Sequence, residues 1–505
     1  MAMSEKKQRL LTKGNYTKGL KCEKLLWYLI NKSKDPAIFS PTSPATQLLF
    51  DQGHEVGALA RKLYKGAIEI EWNKDPDVVM GKSIAALKTG KTVLEAGFYT
   101  DETYSIADVL KPVKGKKDVY DLTEVKMGAS PKDYYYDDIA FQKYNFTQYG
   151  IKIRNCYLKH VNKEYVYQGG EIDLDNFFVE DINVNEEVKA RLPEIPKTVK
   201  KFREMIAKKT PPDIRLGLYC EDGGECDLLP FCMKDVPKGS VLTLHGKDRE
   251  ERFKYYYDDK KKLILELPKH ELSKKHEMMY DALKDKEAKW DKEKISEFLD
   301  TIDDDNPIYY LDFETLMNLA VPKFKGTRPY QQIPFQFSLH IQEKKGGPVT
   351  HKMFLAEGKA DPRPECIEKL DEWLGTEGTI LTYKQSMEQG VIKDLARDFP
   401  KFKGRAENFL SRIKDLLVPF RGFAYYHPDQ EGSASLKDVL PAMTGITYEG
   451  MDLSAGGDAG AKFIEVTFKD ASAEERAKVR KALIDYCTQD TMAMVEILEK
   501  LEAII

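Results

Sequence analysis

Apolar and polar positions along the chain fall into three regimes. Up to about residue 235, strand-like alternation and helical spacing are mixed. The stretch Ala107-Asp108-Val-Leu reads as a strand, and Asp121-Leu-Thr-Glu124-Val-Lys126 as a second. Alternation in a strand puts Glu124 and Lys126 on one face. Asp137 to Phe146 reads as a helix carrying Gln142. From 236 to 304 charge dominates: Lys260-Lys-Lys-Lys-Leu is followed by a helical run from Lys274 to Leu299. There Met279, Leu283, Trp290, Ile295 and Phe298 form a single apolar stripe among Lys and Glu, the pattern of a solvated helical connector. From 305 to 505 strands and helices alternate, which predicts α/β layers. Ile308-Tyr-Tyr-Leu-Asp312-Phe-Glu314-Thr is an apolar strand ending in two acids, and Leu483 to Thr491 is helical.

Length and composition narrow this picture. A chain of 505 residues exceeds one hydrophobic core and predicts two or three domains. No run approaches the ~18–20 apolar residues of a membrane span, and Met1-Ala-Met-Ser-Glu-Lys-Lys shows no secretory pattern, so a cytoplasmic setting is expected. The net charge of −4 excludes a uniformly basic coat; a nucleic-acid partner would be met by local patches or through cations held on carboxylates. Of the seven cysteines, Cys156, Cys366 and Cys487 stand alone in apolar or mixed segments and read as buried thiols. Cys220, Cys226 and Cys232 cluster.

Two constellations carry chemistry. In the first, Asp108 and Glu124 supply hard oxygen ligands suited to Mg²⁺ or Mn²⁺. Lys126 beside them can orient the attacking water or offset charge on a phosphate, and Gln142 can reach the metal's water or the phosphate. His54, in Phe50-Asp-Gln-Gly-His54-Glu, is a further ligand candidate. Alone, Glu-x-Lys on a strand is a common surface pair; the ordered set of His, Asp, Glu-x-Lys and then Gln is not.

That ordered set resembles the RecB-type nucleases of the PD-(D/E)XK fold, including the iron–sulfur exonuclease of CRISPR adaptation, over about residues 10 to 235. The resemblance implies a domain closed by four cysteines, here Cys22 with Cys220, Cys226 and Cys232, around a [4Fe-4S] cluster, or a zinc ion as the alternative. Two departures stand out. The Cys-x5-Cys-x5-Cys spacing is longer in its first interval than is common there, and Phe146 replaces a frequent Tyr.

In the second constellation, Asp312 and Glu314 face one side of their strand, as a two-metal site requires. Tyr486 and Asp490 share a helix face at i,i+4, so Asp490 can bind metal while Tyr486 positions water, or Tyr486 can simply pack in the core. Asp-x-Glu opening the region and Tyr-x3-Asp closing it resemble the DEDD exonucleases of the ribonuclease H-like fold, over about residues 305 to 505. The resemblance places the middle acid at Glu388, where the family has Asp; Asp415 is a second acid nearby, expected at a helix flank. His427-Pro-Asp-Gln-Glu-Gly-Ser433-Ala-Ser-Leu-Lys437 also resembles a group of poorly characterised bacterial and archaeal proteins that join two such domains. Lys437 either contacts phosphate or is a solvated helix charge.

The expectation is therefore a metal-dependent nuclease with two centres, acting on single-stranded or duplex DNA ends and exonucleolytic. Lys111 to Lys117 and Lys200 to Lys209 are candidate backbone guides or plain solvated faces. Tyr134-Tyr-Tyr136 is a candidate base-stacking tract or part of the core. Two other readings stand beside this one: a nucleic-acid-binding scaffold with one inactive centre, and an RNA-degrading exonuclease.

Overall fold

The computed structural model describes residues 10–221, 226–244, 249–317, 319–453 and 456–505; the N-terminal stretch read for a leader lies outside them. The fold is mixed α/β. Among the described residues no helix is long and apolar enough to cross a membrane. The chain forms two compact units, each discontinuous in sequence. The first comprises Met1–Thr42, Leu49–Lys234 and Ala320–Pro329; the second comprises Ser43–Leu48, Asp235–Leu319 and Tyr330–Ile505.

The first unit is built on strands β1 (Val93–Tyr99), β2 (Thr103–Pro112), β3 (Val119–Lys126) and β4 (Lys152–His160). β1, β2 and β3 are successively antiparallel, and β4 lies parallel to β3. Ile68–Glu69 and Ile182–Asn183 extend the two edges, and Leu11–Thr12 pairs in parallel with the start of β2. A parallel neighbour needs a crossover, which α4 (Asp133–Tyr149) supplies between β3 and β4. Gly150 ends that helix at φ 101°, a left-handed cap that suits glycine. Phe146 is fully buried edge-on to Phe98 (centroids 5.6 Å), so the Tyr-to-Phe departure serves the core. α1 (Lys13–Lys21), capped by Thr12, and α2 (Glu23–Asn31) precede the sheet, and α3 (Pro44–Arg61) carries His54. On α5 (Ile195–Ile206), Val199, Phe202, Met205 and Ile206 turn inward while Lys200 and Lys201 stay outside, Lys201 pairing with Glu23. Lys200 and Lys201 therefore lie on the exposed face of that helix, and Lys208 and Lys209 follow its end.

The second unit holds a five-stranded sheet in the order β7-β6-β5-β8-β9, where β5 is Ile308–Leu316, β6 Ile333–Gln342, β7 Val349–Leu355, β8 Thr379–Thr382 and β9 Ile413–Asp415. β6 is antiparallel to β5 and β7; β8 is parallel to β5, and β9 to β8. Every residue of β6 is buried, and β5 is buried except for partial exposure at Asp312, as expected for a sheet covered on both faces. Asp415 ends β9, and its carboxylate accepts the Leu417 amide just ahead of the short helix Val418–Arg421.

The charged stretch 236–304 belongs to this unit and contributes its own apolar cluster of Val241, Leu244, Ile264, Leu267, Met279 and Ala282, with Tyr426. The single helix expected from Lys274 to Leu299 is two, α6 (Lys274–Asp285) and α7 (Lys292–Leu299). Lys286 adopts a left-handed conformation (φ 55°) that closes the first, and the Asp291 carboxylate caps the second. Trp290 lies between them on a two-residue strand paired with Tyr425, off the apolar stripe. The remaining helices used below are α8 (Ser386–Asp398), α9 (Leu436–Thr444), α10 (Gly456–Phe468) and α11 (Ala473–Ala503).

Candidate metal centres

In the first unit, Val109 of β2 faces Thr123 of β3, so continuing that register by one step sets Asp108 across from Glu124. The ladder opens there: Asp108 Oδ2 accepts the Val125 amide at 2.6 Å. α4 lays Asp138 and Gln142, one turn apart, over the same place. The Gln142 side-chain amide donates to Glu124 Oε2. Lys126 Nζ stands 2.9 Å from Glu124 Oε1 and pairs with Asp138. Lys13, at the start of α1, donates to the same Oε1 at 2.6 Å. The other amide atom, Gln142 Oε1, is buried with no hydrogen-bond partner among the described residues.

Burial raises the Asp108 carboxyl to about 7, reinforced by the Glu124 charge. Burial acts upward on Glu124 too, but Lys126 and Lys13 overcome it and hold that group at about 2. One acid is kept ionised and its neighbour is poised near neutrality, the arrangement expected of a site awaiting positive charge. A cavity of about 340 Å³ opens onto Asp108, lined by His54, Arg61, Glu95, Val109 and Met127 among others. His54 is exposed on α3 and reaches that cavity. Arg61 pairs with Glu95 at 3.0 Å.

Sequence reasoning missed Lys13, Glu95 and Asp138. Asp138 was within reach, since it lies four residues before Gln142 and so shares its helix face. Nothing local ties Lys13 to a strand more than a hundred residues later.

Cys22 sits at the junction of α1 and α2. With Cys226 and Cys232 it shares an apolar cluster built on Leu25 and Leu228. Burial raises the Cys220 and Cys232 thiols, and Cys22 and Cys226 push each further. Cys22 thus shares one cluster with Cys226 and Cys232, about two hundred residues later in the chain. Cys156, Cys366 and Cys487 are fully buried.

In the second unit, Asp312 and Glu314 on β5 meet Asp490 on α11, with one ligand atom from each lying within 4.8 Å of the others. Glu314 and Asp490 are buried, while Asp312 keeps partial solvent access. Burial drives all three upward. Asp312 and Glu314 rise well above the carboxylate range, with Asp490 adding repulsion to both. Asp490 reaches about 6, moderated by hydrogen bonds from Tyr448 and Tyr486 and by the Lys437 charge. The Tyr448 hydroxyl donates to Asp490 Oδ1 at 2.6 Å. Lys437 Nζ lies 4.9 Å from the Tyr486 ring centroid and 5.5 Å from that of Tyr448. Ser435 caps α9 by accepting the Lys437 amide, and the Lys437 charge acts on both Glu314 and Asp490.

Glu388, in the first turn of α8, is buried and lies outside the close set of three. Its charge still acts on Asp312 and Glu314, and burial raises its own carboxyl to about 8. Its Oε2 has no hydrogen-bond partner among the described residues. Cys487 Sγ approaches Asp312 Oδ2 at 3.7 Å. Gly456, opening α10, lies beside Glu314: a Cβ there would sit 3.6 Å from its Oε2, in ordinary contact. Tyr448, Cys487 and Gly456 were not anticipated. Tyr448 lies on no periodic segment, and only the fold returns it to α11.

The tyrosine tract divides. Tyr135 is buried with Lys126 Nζ 5.1 Å from its ring, Tyr136 lies under Arg191, and Tyr134 alone of the three is largely exposed. A continuous stacking platform is therefore not present at 134–136.

Among known families, a model described as a domain of unknown function (DUF2779) matches residues 309–435. That span holds Asp312, Glu314, Glu388 and Asp415 and stops before Lys437, Tyr486 and Asp490. No curated protein and no solved structure matches the chain.

Proposed function

We propose that the protein is a metal-dependent nuclease that hydrolyses phosphodiester bonds of DNA, exonucleolytically, with one centre in each unit. The observation that carries this reading is the meeting of Asp312, Glu314 and Asp490 within 4.8 Å. Three carboxylates so close and so buried repel one another, and a divalent cation relieves that repulsion with the oxygen ligands it prefers. Two orphaned oxygens, Gln142 Oε1 and Glu388 Oε2, fit the same account as acceptors for ligand water or as direct ligands.

The sheet orders add support. Three antiparallel strands followed by a parallel fourth and fifth, with acids on the central strand and the last helix, is the layout of ribonuclease H-like DEDD exonucleases. An antiparallel β1-β2-β3 meander, a crossover helix and a parallel β4, with Asp108, Glu124-x-Lys126 and Gln142 at one place, is that of PD-(D/E)XK nucleases.

Bound Mg²⁺ or Mn²⁺ would lower the pKa of an attacking water and neutralise charge on the phosphate. The chain's own residues do the rest. Tyr448 and Tyr486 fix Asp490, and Lys437 supplies positive charge beside a docked phosphate. Lys126 orients the water of the first centre, and Gln142 holds Glu124. The four cysteines fit a [4Fe-4S] cluster, with zinc as the alternative, in a role that ties Cys22 to the end of the first unit.

A second reading is a nucleic-acid-binding protein whose second centre is inactive; the position of Glu388 outside the close set favours it. End-labelled single strands of DNA and RNA, incubated in parallel with Mn²⁺, separate these readings. Mn²⁺-dependent loss of label from DNA, reduced in Asp312→Ala and in Lys126→Ala, supports the nuclease. Binding without degradation, unchanged by either substitution, supports the scaffold.

A further inference from the structure

Lys13 is held as few lysines are. Leu11 and Thr12 are paired to β2, and Tyr16, one turn into α1, stacks on Phe141 of α4 with centroids 4.7 Å apart. Between these anchors the Lys13 side chain, about a quarter exposed, points its ammonium 2.6 Å from Glu124 Oε1. Lys126, Asp108 and Asp138 also face it.

Glu124 thus carries two ammonium groups on one oxygen and an amide on the other. Lys126 has a second carboxylate, Asp138, to lean on; among the described residues Lys13 is ion-paired with Glu124. A structural salt bridge needs one cation. Two ammonium groups on the acid beside Asp108 supply about the charge of one divalent ion.

We propose that Lys13 is an internal counter-ion of the first centre. Its ammonium stands on Glu124 where a divalent cation would otherwise bind, leaves Glu124 on cation uptake, and then faces the substrate phosphate. This rests on the reading that Asp108 and Glu124 hold a cation. Removing the ammonium frees a ligand oxygen, so it favours the metal while weakening the hold on the nucleic acid. A residue serving only to brace the fold would show neither effect. Glu124 keeps Lys126 and Gln142 when Lys13 is replaced, so the variant retains a compensated acid.

The test uses the full chain carrying Asp312→Ala, which silences the second centre, and calorimetric titration with Mn²⁺. Lys13→Met is expected to bind Mn²⁺ about ten-fold more tightly than the parent, and Lys13→Arg to match it. In Ca²⁺, a single-stranded oligonucleotide is expected to bind Lys13→Met about ten-fold more weakly. Mn²⁺ affinity that depends on Asp108, by Asp108→Asn, but is unchanged or weakened in Lys13→Met overturns the counter-ion role alone. Mn²⁺ affinity indifferent to Asp108→Asn overturns it together with the first centre.

Discussion

Asp312 and Asp490 illustrate how a buried acid is tolerated. Burial opposes the charge on both; Asp490 is eased by two phenols and by the Lys437 charge, and Asp312 faces a thiol and the other acids. Replacing Asp312 with Asn removes a carboxyl that burial and the neighbouring acids hold largely protonated, and with it the repulsion felt when that group ionises. The metal-free protein is expected to gain about 1 kcal/mol, a rise of about 2–4 °C in Tm, while Mn²⁺ binding at this centre is lost. Differential scanning calorimetry with and without Mn²⁺ reads both effects, and a fall in metal-free Tm would contradict the repulsion. Tyr448→Phe removes the donor to Asp490 Oδ1 and should move the pH midpoint of Mn²⁺ binding upward by up to about one unit. An unmoved midpoint would mean that Tyr448 does not tune Asp490.

The sign of the wider pH dependence follows from the same groups. Asp490 at about 6, Asp108 at about 7 and Glu388 at about 8 all lie above ordinary carboxylates. A carboxyl raised by folding stabilises the fold while protonated, fully so below its unfolded value, and that contribution is lost as pH rises through its folded value. Metal-free protein is therefore expected to lose stability between pH 6 and 8, and added Mn²⁺ to restore it. Thermal melts across that range check this; stability that rises with pH without metal would refute it.

At the scale of elements, the acids were readable because their spacing is local. Alternation along β3 and β5 put Glu124 with Lys126 and Asp312 with Glu314, and helical spacing put Tyr486 with Asp490. The break at Lys286 was not readable, because a lysine in the left-handed region carries no signature and the apolar stripe runs on through it. Close helix–strand approach was equally silent. A Cβ on Gly460 would lie 2.8 Å from the Thr315 carbonyl oxygen, so α10 packs on β5 through that glycine. Gly460→Val should cost about 1–3 kcal/mol and weaken Mn²⁺ at the second centre by displacing β5. Gly404, in the helix Lys403–Arg412 with nothing within 4 Å of its Cβ position, is the contrast: Gly404→Ala should stabilise by up to about 1 kcal/mol. Urea unfolding of both variants checks the pair, and equal effects would undo the packing argument.

At the scale of the molecule, a boundary near residue 235 could be read from the change in charge, but the exchange of short segments could not. Ala320–Pro329 belongs to the first unit: the Ala320 and Val321 amides donate to Gln52 Oε1 at 3.0 and 3.3 Å, and Tyr167 exchanges backbone hydrogen bonds with Gly326 and Thr327. Such pairing is settled by tertiary packing, which periodicity along one segment does not encode. A fragment ending at Lys234 is therefore expected to be less stable than the same unit in the full chain, and to regain stability when a peptide of residues 320–329 is supplied. Hydrogen exchange at the Tyr167 amide reports this directly; equal protection with and without the peptide would contradict the assignment.

Both proposed centres stand on carboxylates gathered to hold divalent cations. Crystals soaked in Mn²⁺ and measured at the manganese absorption edge put this to the most direct test. Anomalous peaks are expected among Asp312, Glu314 and Asp490 and between Asp108 and Glu124. Their absence from both places at saturating Mn²⁺ would contradict it.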